Sequence, residues 1–318
     1  MRRSKLIWML YAIDYVFRKK SRIYGRRKYC NRSTIPDNQA SKHLSELLLS
    51  NEPFAAGRFG LFEIAAMRMY EFGIRKKYTI VMDNIYNCAG FFPNDIELGR
   101  HFLDVMIEAC KEMDIFAASR QLCENYFINT YMSKNVCVAE SFGLFEICNL
   151  SDCWTKNLKG KKVLVVTPFT ESVKSQYKKR EKLFPGTNIL PEFELLTYRS
   201  LMTVGDIRDE RFETWFDALE FMKKEILLLD FDVALLGCGA YGFPLAAEIK
   251  RAGKQAIHMG GILQILFGIM GKRWDGTRIG NEIHIREDIA KYYNDNWIYP
   301  LEERPKDADK VEYGPYWK

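Results

Sequence analysis

The chain has 318 residues, of which 47% are hydrophobic and 28% are charged, and this composition excludes a disordered or fibrous protein. Its length is sufficient to bury a large core. The eight cysteines are scattered without a C-x-x-C pair, which disfavours a thiolate metal site and predicts free thiols in a reducing cytoplasm.

The net charge of +6 is concentrated at the start of the chain. Residues 1–30 contain ten Lys or Arg residues and one acid, Asp14, so they carry +9 and the rest carries −3. The apolar segment 6–17 is too short to cross a bilayer of about 30 Å. We predict a basic amphipathic helix within an arm of residues 1–38. Its apolar face either packs on the protein itself or, through residues 1–28, contacts an anionic membrane at the inner face of the plasma membrane. No nucleic-acid-binding motif accompanies the arm, so we expect no nucleic-acid partner.

The segment 54–70 predicts a short strand, a glycine turn and a helix. Arg58 and Glu63 flank this turn, in the place where open α/β sheets bind ligands. The alternative is that Glu63 stabilises the helix dipole and that Arg58 is its counter-ion. Residues 77–82 are strand-like, which places Asp83 in the following turn. A second string, residues 140–147, repeats the letters F-G-L-F-E with Glu146 in the position of Glu63, and we assign this similarity to chance.

Strands and helices alternate along the rest of the chain. We predict helices over 95–113, 170–183 and 211–229, and strands over 114–119, 163–169 and 192–197. This alternation predicts an α/β fold, Rossmann-like, with a mostly parallel sheet and helices on both faces. The polar segment 155–161 is the most plausible internal boundary.

The strongest ligand-binding pattern lies in residues 232–261. An apolar strand is followed by glycines in G-x-G-x-x-G spacing and a helix that begins near Pro244, an arrangement suited to a phosphate. The next strand, 255–259, is followed by a second glycine turn. No acid stands there to hold a ribose diol, as an NAD site requires. The segment therefore predicts a nucleotide or sugar-phosphate site.

Four stretches, 58–63, 162–169, 232–242 and 258–274, resemble GT-D-type glycosyltransferases of bacterial surface-polysaccharide gene clusters. The resemblance implies a catalytic domain over residues 39–275, followed by an extension over 276–318. It also implies a cytoplasmic enzyme that transfers a sugar from a nucleotide-diphosphate sugar, with a UDP-sugar as the expected donor, to a lipid-linked or protein-linked glycan. Family members bind a divalent metal, Mn or Mg, through Asp-x-Glu, which reads here Leu61-Phe62-Glu63.

From these motifs we assign catalytic roles to Arg58, Glu63 and Asp83, with Glu63 as the one candidate metal ligand. Glu146 is a further candidate for the base that an acceptor hydroxyl needs. The predicted donor-binding residues are Gly237, Gly239, Tyr241, Gly242, His258, Gly260, Gly261, Gln264, Lys272 and Arg273. The pair 272–273 matches the charge of a diphosphate, although cations also suit the end of the preceding helix. The missing aspartate leaves open a catalytically impaired nucleotide-sugar-binding or scaffold protein of the same pathway.

Overall fold

The computed structural model describes residues 2–21, 33–146, 152–204, 207, 209–279, 282–285, 287–306, 308–310, 314 and 316–318. Two parts of the sequence predictions lie partly outside these residues. They are the arm, at residues 1 and 22–32, and the second F-G-L-F-E string, at residue 147.

Seven parallel strands form one open sheet, and their order in it is β3-β2-β1-β7-β6-β4-β5. The strands are β1 (Phe54–Gly57), β2 (Ile115–Ala117), β3 (Cys137–Ala139), β4 (Lys162–Thr167), β5 (Glu194–Arg199), β6 (Val233–Leu236) and β7 (Gln255–His258). The two halves of the chain meet where β1 pairs with β7, with Phe54 opposite Gln255. Segment 155–161 therefore leads into a strand of the same sheet rather than into a second sheet.

Helices cover both faces of this sheet, which confirms the predicted Rossmann-like fold class. The helices are α1 (Arg2–Ser21), α2 (Asp37–Ser50), α3 (Leu61–Glu71), α4 (Tyr78–Ala89), α5 (Gly99–Cys110), α6 (Glu124–Tyr131), α7 (Thr170–Tyr177), α8 (Arg180–Leu183), α9 (Trp215–Leu227), α10 (Gly242–Arg251), α11 (Leu263–Leu266) and α12 (Glu287–Ala290). In β4, Leu164 and Val166 join one core while Val163 and Val165 join the other. Both faces of the strand are buried, as the continuous apolar run predicts.

The predicted strand 77–82 is wrong, because these residues begin helix α4. Their β-branched composition favours a strand, but Val81, Met82, Ile85 and Ala89 repeat with helical spacing and are all buried. The tertiary contacts of this face therefore decide the conformation. The predicted helix 95–113 is also shorter, since a 3₁₀ turn over Ile96–Leu98, capped by Asp95, precedes α5.

The extension after residue 275 lies on the domain. It begins with an antiparallel hairpin of β8 (Asp275–Ile279) and β9 (Glu282–Ile285). Further on, the carboxylate of Glu302 accepts hydrogen bonds from the backbone N–H groups of Glu171 and Ser172 at the start of α7. Near the end, Trp317 is buried against Phe169, with ring centroids 5.4 Å apart. The extension is thus held at several points along the carboxyl edge of the sheet.

Candidate functional site

A cavity of about 440 Å³ opens at the carboxyl ends of the parallel strands. The segment that follows each of the seven strands contributes to its wall, as do residues 273–274 and 316–317. Because β4 continues outward to β5 while β6 continues to β7, the connections after these neighbouring strands diverge and leave a crevice between them. The volume lies in the range of about 300–1,000 Å³ that small-molecule sites occupy.

The segment after β1 contributes Arg58 and Glu63. Gly60 precedes the first turn of α3, and the Glu63 carboxylate folds back over it to accept hydrogen bonds from the backbone N–H groups of Phe62 and Glu63. A Cβ at residue 60 would collide with this carboxylate. The missing side chain of Gly60 therefore leaves the space above the turn that the side chain of Glu63 fills.

Burial raises the pKa of Glu63, and the nearby positive charge of Arg58 offsets part of this effect. The side chain is only 7% exposed. A carboxylate with a raised pKa is a better proton acceptor than an ordinary surface carboxylate, provided that it is ionised at the working pH. The pKa of Glu63 is raised in this way, and Glu63 lines the cavity.

Arg58 joins the two glycine-containing segments that the sequence singled out. Its guanidinium lies directly on Gly260, where a Cβ would collide with it, and residue 260 has a φ of 71°. A glycine is therefore required at position 260 for two reasons, the left-handed backbone conformation and the close approach of Arg58. Burial lowers the pKa of Arg58, the nearby Glu63 and Tyr316 raise it, and the like charge of Arg273 lowers it by a smaller amount. Two guanidinium groups thus act on the same cavity, and a bound anion would relieve their repulsion.

His258 ends β7 beneath the cavity and is almost completely buried. A Cβ at Gly242 would collide with its Nδ1, so this glycine leaves the space that the imidazole occupies. Burial, followed by the charge of Arg58, lowers the pKa of His258 to about 3. The imidazole is therefore neutral at pH 7. It supplies a polar wall without adding a third positive charge.

The tail supplies an aromatic wall. The hydroxyl of Tyr316 lies 3.4 Å from Nη1 of Arg273, whose guanidinium also stands 5.2 Å from the centre of the tyrosine ring. A Cβ at Gly261 would lie 2.9 Å from this ring, so the glycine turn and the tail are in close contact. The buried amide of Gln264 donates a weak hydrogen bond to the Tyr316 carbonyl. Aromatic rings beside two guanidinium groups suit a planar group linked to phosphates.

Most of the predicted site residues line this cavity. They are Arg58, Glu63, Gly237, Gly239, Tyr241, His258, Gly260, Gly261, Gln264 and Arg273. The hydroxyl of Tyr241 lies 2.7 Å from that of Thr203, and its ring stacks on Trp215. Tyr241 therefore fixes the wall between the segments that follow β5 and β6.

Three predicted site residues lie elsewhere. Asp83 is on α4 and accepts a hydrogen bond from the Asn94 side chain, because the predicted strand and turn around it are helical. Lys272 is outside the cavity wall, and its backbone N–H donates to the carbonyl of Trp317. Gly242 is behind the wall and acts through His258. Of the predicted cationic pair, only Arg273 reaches the cavity.

The structure adds residues that sequence reasoning missed. From the segment after β2 come Ser119 and Gln121, and this segment is fixed by the buried carboxylate of Glu124, which accepts hydrogen bonds from the N–H groups of Ser119 and Arg120. From the segment after β3 come Phe142 and Phe145, together with Glu146, which the sequence had already offered as a candidate base. The repeated F-G-L-F-E string was the signal for the two phenylalanines, and it was attributed to chance.

The residues present do not match the metal site that the resemblance implies. Leu61, which stands where Asp-x-Glu begins, is 54% exposed and offers no oxygen ligand. Among the described residues, no three His, Cys, Asp or Glu side chains are grouped so that they could hold a metal ion. We therefore derive no step through a metal.

Comparisons with known proteins give one structural likeness. No protein-family model and no curated protein matches the chain. A solved structure described as "The highly conserved domain of unknown function 1792 has a distinct glycosyltransferase fold" is similar over 87% of this chain and 94% of that chain, with 13% identity and a TM-score of 0.42. At this identity and TM-score the likeness says nothing about activity, substrate or site residues.

Proposed function

We propose that the protein is a glycosyltransferase that binds a nucleotide-diphosphate sugar in the cavity and transfers the sugar to a hydroxyl group of a glycan acceptor. The observation that carries this proposal is the pair of guanidinium groups, Arg58 and Arg273, in a cavity that also contains two carboxylates, Glu63 and Glu146. Positive charge suits the leaving diphosphate, and a carboxylate suits the acceptor hydroxyl.

The diphosphate is assigned to the two arginines. Arg58 and Arg273 act on each other electrostatically, and Arg58 is in contact with the Gly260 turn. In the transfer step the bond between the anomeric carbon and the diphosphate oxygen breaks. Its electron pair leaves with the nucleoside diphosphate, whose increasing negative charge the two guanidinium groups stabilise. The aromatic wall of Tyr316 and Trp317 accommodates the nucleobase.

The acceptor is assigned to the carboxylate side. Its hydroxyl oxygen forms the new bond to the anomeric carbon, while its proton passes to the Glu63 carboxylate. Burial supports this role because it raises the pKa of Glu63 and makes the carboxylate a stronger base. We propose a lipid-linked or protein-linked glycan of a surface-polysaccharide or glycoconjugate pathway as the acceptor.

Calorimetric titration of the full chain with UDP-sugars, GDP-sugars, CMP-sugars and NAD(P) tests the binding step. We expect a UDP-sugar to bind more tightly than a CMP-sugar, because the two arginines match two phosphates rather than one. In Arg58→Met and Arg273→Met, the affinity should fall at least about 30-fold each, the effect expected when a buried charge contact is lost. Arg100→Met is the matched control, since this arginine is exposed and pairs with Asp104 on α5.

Binding of NAD(P) without binding of any sugar nucleotide would overturn the proposal. Donor hydrolysis and sugar transfer should be unchanged by EDTA, since the described part of the chain contains no group of His, Cys, Asp or Glu side chains that could hold a metal ion. Activity lost in chelator and restored by Mn or Mg would contradict this part of the mechanism.

A second candidate function rests on Leu61. Because this residue replaces the aspartate that the resemblance implies, the cavity also suits a protein that binds a sugar nucleotide within an assembly system without turning it over. Sugar-nucleotide binding at unchanged affinity, with no hydrolysis and no transfer to extracted lipid acceptors, would favour this second function over the first.

A further inference from the structure

The outer face of α1 carries an apolar stripe, which we call the α1 stripe. Its five side chains are between 48% and 58% exposed. They are Leu6, Met9, Leu10, Ile13 and Val16. Their spacing of three or four residues places them on one side of the helix. Large exposed apolar side chains grouped in this way mark an interaction surface, whereas isolated ones need no explanation.

The opposite face of α1 is already occupied. Tyr11 packs edge to face against Tyr126 of α6, with ring centroids 5.6 Å apart. Tyr15 interacts electrostatically with Arg68 of α3. The helix is therefore docked on the domain through one face while the α1 stripe points away from it. The two alternatives that the sequence left open, packing on the protein and contact with another surface, apply to opposite faces of the same helix.

The positive charge around the α1 stripe indicates which kind of surface it binds. Residues 1–30 carry ten basic side chains against one acid, and basic residues stand in the sequence on both sides of the stripe. A second copy of this chain would present the same positive charge, so pairing of two stripes would bring two arms of +9 together. An anionic lipid surface has the opposite charge and an apolar layer beneath its headgroups.

The length of the stripe sets how it can meet a bilayer. Residues 6–16 of a helix extend about 15 Å at 1.5 Å per residue, half the thickness of the hydrocarbon core. Among the described residues no helix is both long enough and apolar enough to cross a membrane. A helix of this kind lies parallel to the membrane plane, with its apolar side chains inserted at the boundary between headgroups and acyl chains.

We propose that the α1 stripe and its flanking basic residues form a binding surface for anionic membranes. The α1 stripe supplies apolar insertion, and the basic residues supply attraction to acidic headgroups. This surface is separate from the cavity, so the inference does not depend on the proposed glycosyltransferase activity.

Flotation of the full chain with vesicles tests the proposal. Vesicles of phosphatidylcholine with 30% phosphatidylglycerol should carry the protein upward, and vesicles of pure phosphatidylcholine should not. In Leu10→Asp/Ile13→Asp the floated fraction should fall at least about tenfold, because two charges replace inserted apolar groups. The matched control is Leu49→Asp/Leu228→Asp, since both leucines are exposed apolar residues elsewhere on the surface, and this variant should float like the original chain.

Several outcomes would overturn the proposal. They are equal flotation of the stripe variant and the control, equal binding to neutral and anionic vesicles, or a dimer in light scattering that only the stripe variant converts to a monomer. Circular dichroism and thermal melting verify that the variants fold. If the aspartate variant unfolds, Leu10→Ser/Ile13→Ser replaces it, with a floated fraction expected to fall about threefold and equal flotation again contradicting the proposal.

Discussion

The string F-G-L-F-E occurs twice in this chain, at residues 59–63 and 142–146, and the two copies take different conformations. The first begins α3, a helix of eleven residues. The second forms a 3₁₀ turn over Phe142–Leu144. Both follow strands of the same sheet at its carboxyl edge, and both line the cavity. The same five-residue sequence therefore determines neither the type of helix nor the contacts of its glutamate.

The glycines of the two strings share one feature, because each lies beneath a carboxylate. At Gly60 the carboxylate is that of Glu63, within the string itself. At Gly143 it is that of Asp37 at the start of α2, which also accepts hydrogen bonds from Ser141. Asp37 thus takes the position above the second glycine that Glu63 takes above the first, while Glu63 and Glu146 both line the cavity. A residue far away in the sequence, Asp37, thus makes the contact in the second string that Glu63 makes in the first.

The largest expected difference between the strings is in turnover. Glu63→Gln should lower the rate of sugar transfer by about 10²–10⁴-fold, the range for removal of a general base, with donor affinity unchanged. Glu146→Gln should lower it by less than about tenfold, because Glu146 is assigned no proton transfer. Steady-state rates with saturating donor measure both effects. If Glu146→Gln proves the more damaging change, the assignment of the base is reversed.

Substitution of the two glycines should affect different properties, turnover at Gly60 and stability at Gly143. In Gly60→Ala the new Cβ displaces the Glu63 carboxylate, so turnover should fall about 10–100-fold while thermal stability changes little. In Gly143→Ala the displaced group is the Asp37 carboxylate, and the free energy of unfolding should fall by about 1 kcal/mol with turnover retained. Enzyme assays and urea unfolding distinguish the two variants. Equal effects on turnover would show that the two glycines support the site in the same way.

The two carboxylates should also differ in the pH dependence of stability. Burial raises the pKa of both Glu63 and Asp37, so the folded state binds more protons than the unfolded state between the ordinary and raised values. Stability therefore falls as pH rises through that window and does not recover above it. Glu63→Gln should therefore raise the free energy of unfolding at pH 7, and this gain should disappear as the pH falls below the ordinary pKa of a glutamate.

For Asp37→Asn a smaller gain is expected, since the hydrogen bonds from Ser141 lower the pKa of Asp37 and offset part of the effect of burial. Thermal melts between pH 3 and pH 8 measure the difference. A gain for Glu63→Gln that is independent of pH would exclude titration of this residue as its cause.

The smallest effect concerns the contact that joins the two strings. The guanidinium carbon of Arg58 lies 5.2 Å from the centre of the Phe142 ring. Phe142→Leu removes this cation–π contact and should weaken donor binding about two- to fivefold, as expected from about 0.5–1 kcal/mol. The cation–π pair of Lys291 and the half-buried Tyr292 lies outside the cavity wall and offers a control, Tyr292→Leu, with unchanged donor affinity expected. An unchanged affinity in Phe142→Leu would mean that the second string positions nothing at the donor.

What could be predicted from the sequence is what local chemistry determines. The runs of apolar residues in β4 and β6 and the glycine turns after β6 and β7 identify buried parallel strands and a ligand-binding edge. Arg58 and Glu63 were found because a strand end, a glycine and a helix start follow one another within ten residues. These signals are short-range, so they survive without knowledge of the fold.

What could not be predicted depends on contacts between distant residues. Helix α4 forms because Val81 and Ile85 meet a buried surface, although their residue types favour a strand. Gln121 lines the cavity because β2 lies in the same sheet as β1, and Tyr316 does so because the extension returns to the Gly261 turn. The order of strands and the path of the tail decide these cases, and no local pattern encodes either.

The pairing of β1 with β7 has a consequence for how the protein is made. Phe54 leaves the ribosome roughly 200 residues before its partner Gln255, so one edge of β1 stays open during most of synthesis. The contact between Arg58 and Gly260 likewise forms only after residue 260 has been synthesised. The cavity therefore forms last, after its two halves have been translated. Variants that slow this late pairing should reduce the yield of folded protein in cells before they alter the stability of the purified protein.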